Sequence, residues 1–212
     1  MYVPPYFEEQ RLDVLRQLIH DCPLGTLVTL GAEGLNANHI PFEFDSVPAP
    51  RGTLRGHVAR ANPVWRDFSQ TVDALVVFLG PQSYVTPSWY PTKALSGEVV
   101  PTYNYLAVHV YGSLQIHQEE DWLRGLVTRL TKRFEAQRAM PWQVTDAPAA
   151  FIGKQLRAIV GIEMQLTRLI GKWKVSQNRP AADRAGVIEG LTENADAASV
   201  ALAAWVKDKA PS

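Results

Sequence analysis

At 212 residues the chain suits one domain, or one domain with an appendage, and it is long enough to bury a sizeable core. Twenty-one Lys and Arg offset twenty-one Asp and Glu, so no net field draws the chain to a polyanion, and nucleic-acid binding would need a local patch. The longest apolar runs, such as ALVVFLG, fall far short of the roughly 20 residues of a membrane-spanning helix. The start, MYVPPYFEEQ, lacks the basic-then-apolar order of a secretion signal, so a cytoplasmic protein is expected. The single Cys22 allows neither an internal disulfide nor a multi-cysteine zinc site.

Residues 8–21, EEQRLDVLRQLIHD, space Leu12, Leu15, Leu18 and Ile19 as an amphipathic helix that Cys22-Pro23 closes. The period then changes. LGTLVTL, LNANHIPFEF, GTLRGHVA and DALVVFLG are short β-rich runs broken by Gly, Pro and Asp, and they read as consecutive antiparallel strands. The clearest strand covers 106–117. There Leu106, Val108, Val110, Leu114 and Ile116 share one face, while His109, Tyr111, Ser113, Gln115 and His117 share the other.

A helix over about 119–138 carries Trp122, Leu123, Leu126, Val127, Leu130 and Phe134 as its apolar stripe. A shorter one over 148–157 has Pro148 near its first turn. The apolar run IVGIEMQLTRLIG then leads into KWKVSQNR. Beyond Arg179 two Ala-rich helices follow, with Asp196 capping the second. Closely spaced strands with a few helices predict a mainly β fold, a small barrel with peripheral helices. Residues 1–179 form its main domain and 180–212 a helical extension packed on it.

The chain has no P-loop, no G-x-G-x-x-G, no H-E-x-x-H and no G-x-S-x-G. Its histidines, at 20, 39, 57, 109 and 117, are scattered, and no metal site is expected. Three clusters mix an aromatic ring with hydroxyl, amide and cationic groups. GHVARANPVW holds His57, Arg60, Asn62 and Trp65. SYVTPSWYPTK, continued by VVPTYNY, holds Ser88, Trp89, Tyr90, Lys93, Thr102, Tyr103, Asn104 and Tyr105. GKWKVSQNR holds Lys172, Lys174, Ser176, Gln177, Asn178 and Arg179.

Such a mixture suits a planar ligand that also carries a phosphate. Structural jobs would also account for it. Trp65 after Asn-Pro would anchor a turn whose backbone Asn62 satisfies. Ser-Trp-Tyr-Pro would be a packed aromatic loop, and the lysines of KWK would protect a strand edge.

Together, MYVPPYF, PLGTLVT, GLNANHIPF, GHVARANPVW, FLGPQSYVTPSWYPTK, VPTYNY, AVHVYG, IVGIEMQLTRLIGKWKVSQNR and DRAGVIEGL resemble the PaiB-type family of FMN-binding proteins. That family is labelled negative transcriptional regulators and is built on the FMN-binding split β-barrel. The matching segments run in family order from about residue 1 to 191. Tyr103 stands where many relatives carry Trp.

The resemblance implies a homodimer with FMN in a groove at the subunit interface, and pairing with a twofold copy would also cover the exposed strands of an open barrel. On that reading Arg60 and Lys93 meet the FMN phosphate, with Ser88 and Thr102 as hydroxyl donors. Trp65, Trp89 and Tyr90 pack near the isoalloxazine or ribityl chain. Asn62, Asn104, Gln177 and Asn178 bond ring or ribityl oxygens. His57 and Lys174 complete the cofactor-binding set, and His57 is the one candidate for moving a proton.

A regulator of the PaiB type is the expected function, with a flavin-dependent oxidoreductase as the alternative, in which the chemistry belongs to the flavin. Direct DNA binding has a thin basis, since the tail offers only Arg184, Lys207 and Lys209 as cations. Lys172, Lys174 and Arg179 would have to assemble a surface across a dimer. A heme protein, with His39, His57 or His109 as axial ligand, is the third reading.

Overall fold

The computed structural model describes residues 1–48 and 50–209. Pro5–Phe7 makes one 3-10 turn, and β1 (Glu8–Glu9) follows as a two-residue strand before α1 (Leu12–Asp21). The predicted helix therefore starts four residues later than its apolar spacing suggested. Glu8 and Glu9 are held extended because they pair with Lys172 and Gly171. The buried Glu9 carboxylate also takes bonds from the Arg11 backbone N–H and guanidinium, at 3.0 Å each, and from the Lys209 ammonium. Within α1, Leu15, Leu18 and Ile19 are buried, as an amphipathic helix requires.

Next come β2 (Leu24–Gly31), β3 (Gly34–Pro41), β4 (Glu43–Asp45), β5 (Thr53–Ala59) and β6 (Ala74–Val85). The run expected as one strand over 35–44 divides at Phe42. Pro41 has no N–H to give a ladder, and the Phe42 N–H turns to the Pro23 carbonyl at 2.8 Å.

Then follow α2 (Lys93–Ser96), β7 (Thr102–His117), α3 (Glu120–Glu135), α4 (Ala149–Arg157), β8 (Ile159–Lys174), α5 (Ala181–Glu193) and α6 (Ala197–Asp208). On β7 the predicted faces hold: Leu106, Val108, Val110 and Leu114 are buried while Ser113 and Gln115 are exposed. The Asp196 cap forms as well, its carboxylate accepting from the Ser199 N–H at 2.9 Å.

The sheet order is β3-β2-β6-β7-β8-β5-β4, with β1 on β8. The β2–β3, β4–β5, β2–β6, β5–β8 and β1–β8 pairs are antiparallel. Strands consecutive in the chain are thus not always neighbours: β5 joins β8, placing His57 opposite Gly161, rather than β6.

Two compact units divide the chain. One takes Met1–Leu18, Phe78–His109 and the described residues from Ile170 on. Its buried side chains include Leu15, Phe78, Leu106, Trp173, Val187 and Leu202. The other takes Ile19–Val77 and Val110–Leu169, with Leu27, Phe42, Leu54, Val76, Ile162 and Met164 buried. Among the described residues no helix is long and apolar enough to cross a membrane.

Candidate functional site

In the second unit the polar residues of GHVARANPVW gather round the turn that follows β5. The Asn62 N–H returns to the Ala59 carbonyl at 2.9 Å, and the Asn62 side chain accepts from the Val64 N–H at 3.0 Å, capping the 3-10 turn Pro63–Trp65. The other end of that amide donates to Asn38 Oδ1 on β3 at 2.7 Å. Trp65 Nε1 donates to the Arg60 carbonyl at 3.0 Å, so the indole closes the turn from above.

Arg60 fixes the turn to the start of β8. Its guanidinium donates to the carbonyls of Arg157 at 2.7 Å and Ile159 at 3.1 Å, and to Gln118 Oε1 at 2.7 Å. That commits three of its five N–H groups. Arg66 was not among the residues expected from sequence. It is exposed and rests on the Trp65 ring, 4.1 Å from the centroid.

Beside this turn lies a cavity of about 380 Å³ whose wall includes Asn38, His39, Ile40, His57, Asn62 and Ile159. Among the described residues no carboxylate lines it. The β2–β3 pairing sets His39 opposite Thr26, whose Oγ1 lies 3.1 Å from the imidazole Nδ1. Burial holds the His57 imidazole below its ordinary pKa, so at neutral pH the ring is uncharged. Its Nδ1 is buried without a hydrogen-bond partner among the described residues. Asn38 was not singled out from sequence and His39 only as a heme ligand. Their signal is Asn36-Ala-Asn-His39 in a strand that leaves Asn36 and His39 exposed and Asn38 half-buried.

The remaining candidates lie in the first unit. The Lys174 ammonium donates to Thr102 Oγ1 and to the Tyr103 carbonyl. Burial lowers its pKa, and the positive charges of Lys172 and Arg179 lower it further. Lys172 is buried under Tyr2, whose carbonyl it reaches at 3.1 Å, and Arg179 lies 4.9 Å from the Tyr90 ring centroid. Three cations therefore share one locality, and the hydrogen bonds of Lys172 and Lys174 there go to carbonyl and hydroxyl oxygens.

Asn104 is buried and donates to Ser176 Oγ at 2.9 Å. Ser176 holds the turn after β8 at φ 65°, a conformation unusual for a residue with a Cβ. Both ends of the Gln177 amide bond to the main chain, at Val175 and Trp173. Trp89 packs on α5. A Cβ on Gly190 would lie 2.2 Å from its ring, and one on Gly186 would lie 2.0 Å from its carbonyl oxygen. Tyr90 is buried, while Ser88, Lys93 and Asn178 are exposed.

The fold thus brings His57, Arg60, Asn62 and Trp65 together with Asn38, His39 and Arg66. Separately, it gathers Thr102, Asn104, Lys174 and Gln177 round the end of β8.

A family model described as "Putative FMN-binding domain" matches residues 1–168. A Bacillus subtilis protein, "Protease synthase and sporulation protein PAI 2", is 32% identical over 209 residues, covering 99% of this chain and 98% of its own. An uncharacterised protein of Emericella nidulans is 34% identical over 244 residues, covering 99% and 97%. Among solved structures, the flavocytochrome Anf3 from Azotobacter vinelandii superposes with a TM-score of 0.59 at 10% identity, over 81% of this chain and 72% of that one. At that identity the likeness concerns the fold alone.

Proposed function

Because this chain belongs to the FMN-binding domain family, a split β-barrel with flanking helices, we propose that it is an FMN-dependent oxidoreductase acting on a small molecule. The observation that carries this reading is the carboxylate-free polar cavity between β3, β5 and the turn after β5. The residues present fit the cofactor. The amides of Asn38 and Asn62 and the imidazoles of His39 and His57 offer donors and acceptors to a hydroxylated chain and a ring edge. Arg66 and the uncommitted N–H groups of Arg60 supply positive charge for a phosphate, and Trp65 supplies a flat wall.

FMN supplies the electron-transfer chemistry. The chain's residues bind and orient it, and neutral His57 can accept or donate a hydrogen bond at the ring. In the other unit, Lys174 with Lys172 and Arg179 forms a second anion-matched group. We assign Ser88, Lys93, Thr102 and Asn178 to that side of the cofactor, in a homodimer whose partner copy completes the site, while Asn104, buried and bonded to Ser176, supports the turn beneath them. Lys93 and Asn178 are exposed and free to do so.

Redox chemistry is favoured over direct repression of transcription. Of the three tail cations, Arg184 donates to the Arg179 carbonyl at 2.8 Å and Lys209 bonds Glu9, which leaves only Lys207 exposed, too little charge to hold a duplex. An FMN titration followed by absorption and fluorescence tests the reading. The wild-type chain takes up one FMN, and Arg66→Ala weakens the complex about tenfold, the loss expected for one charge-assisted bond. A chain that takes up no FMN refutes it.

A further inference from the structure

His57 and Ile159 line a second cavity, of about 450 Å³, whose other walls come from α3, α4 and the segment joining them. Val127, Val144, Ile152 and Leu156 make it apolar, and it rests on a small buried cluster that includes Leu123. Trp142 and Phe151 stand at it as large rings, 45% and 52% exposed, with more apolar surface in water than isolated side chains need to leave there. Besides His57 and the Trp142 indole, Thr131 and Gln155 are the polar side chains among the described lining residues. Among the described residues no carboxylate, ammonium or guanidinium lines the cavity.

A charged ligand placed here would lose its water and gain no counter-ion. An uncharged ring system would instead gain aromatic and aliphatic contacts along the walls, with hydrogen bonds at one or two points. The volume falls within the range of about 300–1,000 Å³ typical of small-molecule sites.

We propose that this cavity binds an uncharged, mainly aromatic small molecule bearing one or two polar atoms, and that His57 and Ile159 separate it from the flavin groove. The second half rests on the FMN reading above, and the first half stands without it. The cavity thereby defines the substrate class: neutral and planar, with an oxygen or nitrogen that His57, Thr131 or Gln155 can hydrogen-bond.

The test uses the full chain and N-phenyl-1-naphthylamine, an uncharged aromatic amine whose fluorescence rises in apolar surroundings. Thr131→Phe and Gln155→Trp fill the cavity from half-buried and exposed positions, so the fold survives, as circular dichroism checks. The expected result is one saturable probe site per chain, weakened at least tenfold by either substitution, and a perturbed flavin visible band when the probe joins FMN-loaded protein.

Saturable, substitution-sensitive probe binding with an unmoved flavin band, or with no FMN uptake, keeps the cavity as a neutral-ligand site and overturns its place beside the flavin. Absence of a saturable site, or binding untouched by both substitutions, overturns the proposal. So does a cavity that a second copy of the chain covers, seen as no probe binding by a dimer and a shift to monomer in sedimentation when the cavity is filled.

Discussion

Replacing Glu9 by Gln removes a buried carboxylate that ties the N-terminal segment to Lys209 at the end of α6. Burial by itself would raise the Glu9 pKa. The bonds from Arg11 and Lys209 outweigh it and bring the value from 4.5 to about 2. Glu9 is only 3% exposed, so solvent screens these interactions little. The fall from 4.5 to about 2 corresponds to about 3 kcal/mol of folding stability near neutral pH.

A carboxylate whose pKa is depressed on folding gives its full contribution above about 4.5 and loses it as pH falls toward about 2. By pH 3 about 1 kcal/mol of it should remain. Urea unfolding of the wild type and Glu9→Gln at both pH values measures this directly. The wild type should lead the variant by about 2–3 kcal/mol at pH 7 and by about 1 kcal/mol at pH 3. A gap that is the same at both pH values would show that Glu9 acts through packing and strand pairing and not through its charge.

Gly190→Ala should destabilise the chain by about 2 kcal/mol although Ala favours a helix, because the new methyl meets the Trp89 ring and α5 must move away. Thermal unfolding reads this, and an unchanged or higher Tm would mean that Trp89 does not pack against α5. Asp196→Ala should lower Tm slightly through the lost cap on α6, and an unchanged Tm would mean that the cap does not hold the helix end. Asn62→Ala should weaken FMN binding about tenfold and lower stability by about 1 kcal/mol, since one amide serves both the cap and Asn38. FMN affinity equal to that of the wild type would remove Asn62 from the site. DNA fragments should bind feebly at low salt and lose no more than a few-fold between 50 and 200 mM salt, and a steep slope would restore the repressor reading.

The sequence alone determined what depends on near neighbours in the chain. The alternation of β7, the stripes of α1 and α3 apart from the exposed Leu12 and Phe134, the cap at Asp196 and the capping amide of Asn62 are all written in spacings of two to four residues. Local geometry then sets what each does to its own chain neighbours. The family was legible for a related reason, since its segments recur in order along nearly the whole chain.

Only the tertiary structure decided which surfaces these elements meet. Glu8 and Glu9 have the composition of a helix start and become a strand because Lys172 and Gly171 offer free backbone partners. β5 leaves its chain neighbour β6 for β8, a pairing that no local pattern encodes. Arg60, a natural phosphate ligand by its chemistry, spends three N–H groups on acceptors 58 to 99 residues away, while its unnoticed neighbour Arg66 stays open to solvent. Trp89 fills a notch made by two glycines of α5, and His57 becomes neutral because β8 and its surroundings take it out of water. Each of these depends on burial and on saturating hydrogen bonds across the whole fold, quantities that exist only once the distant segments have met.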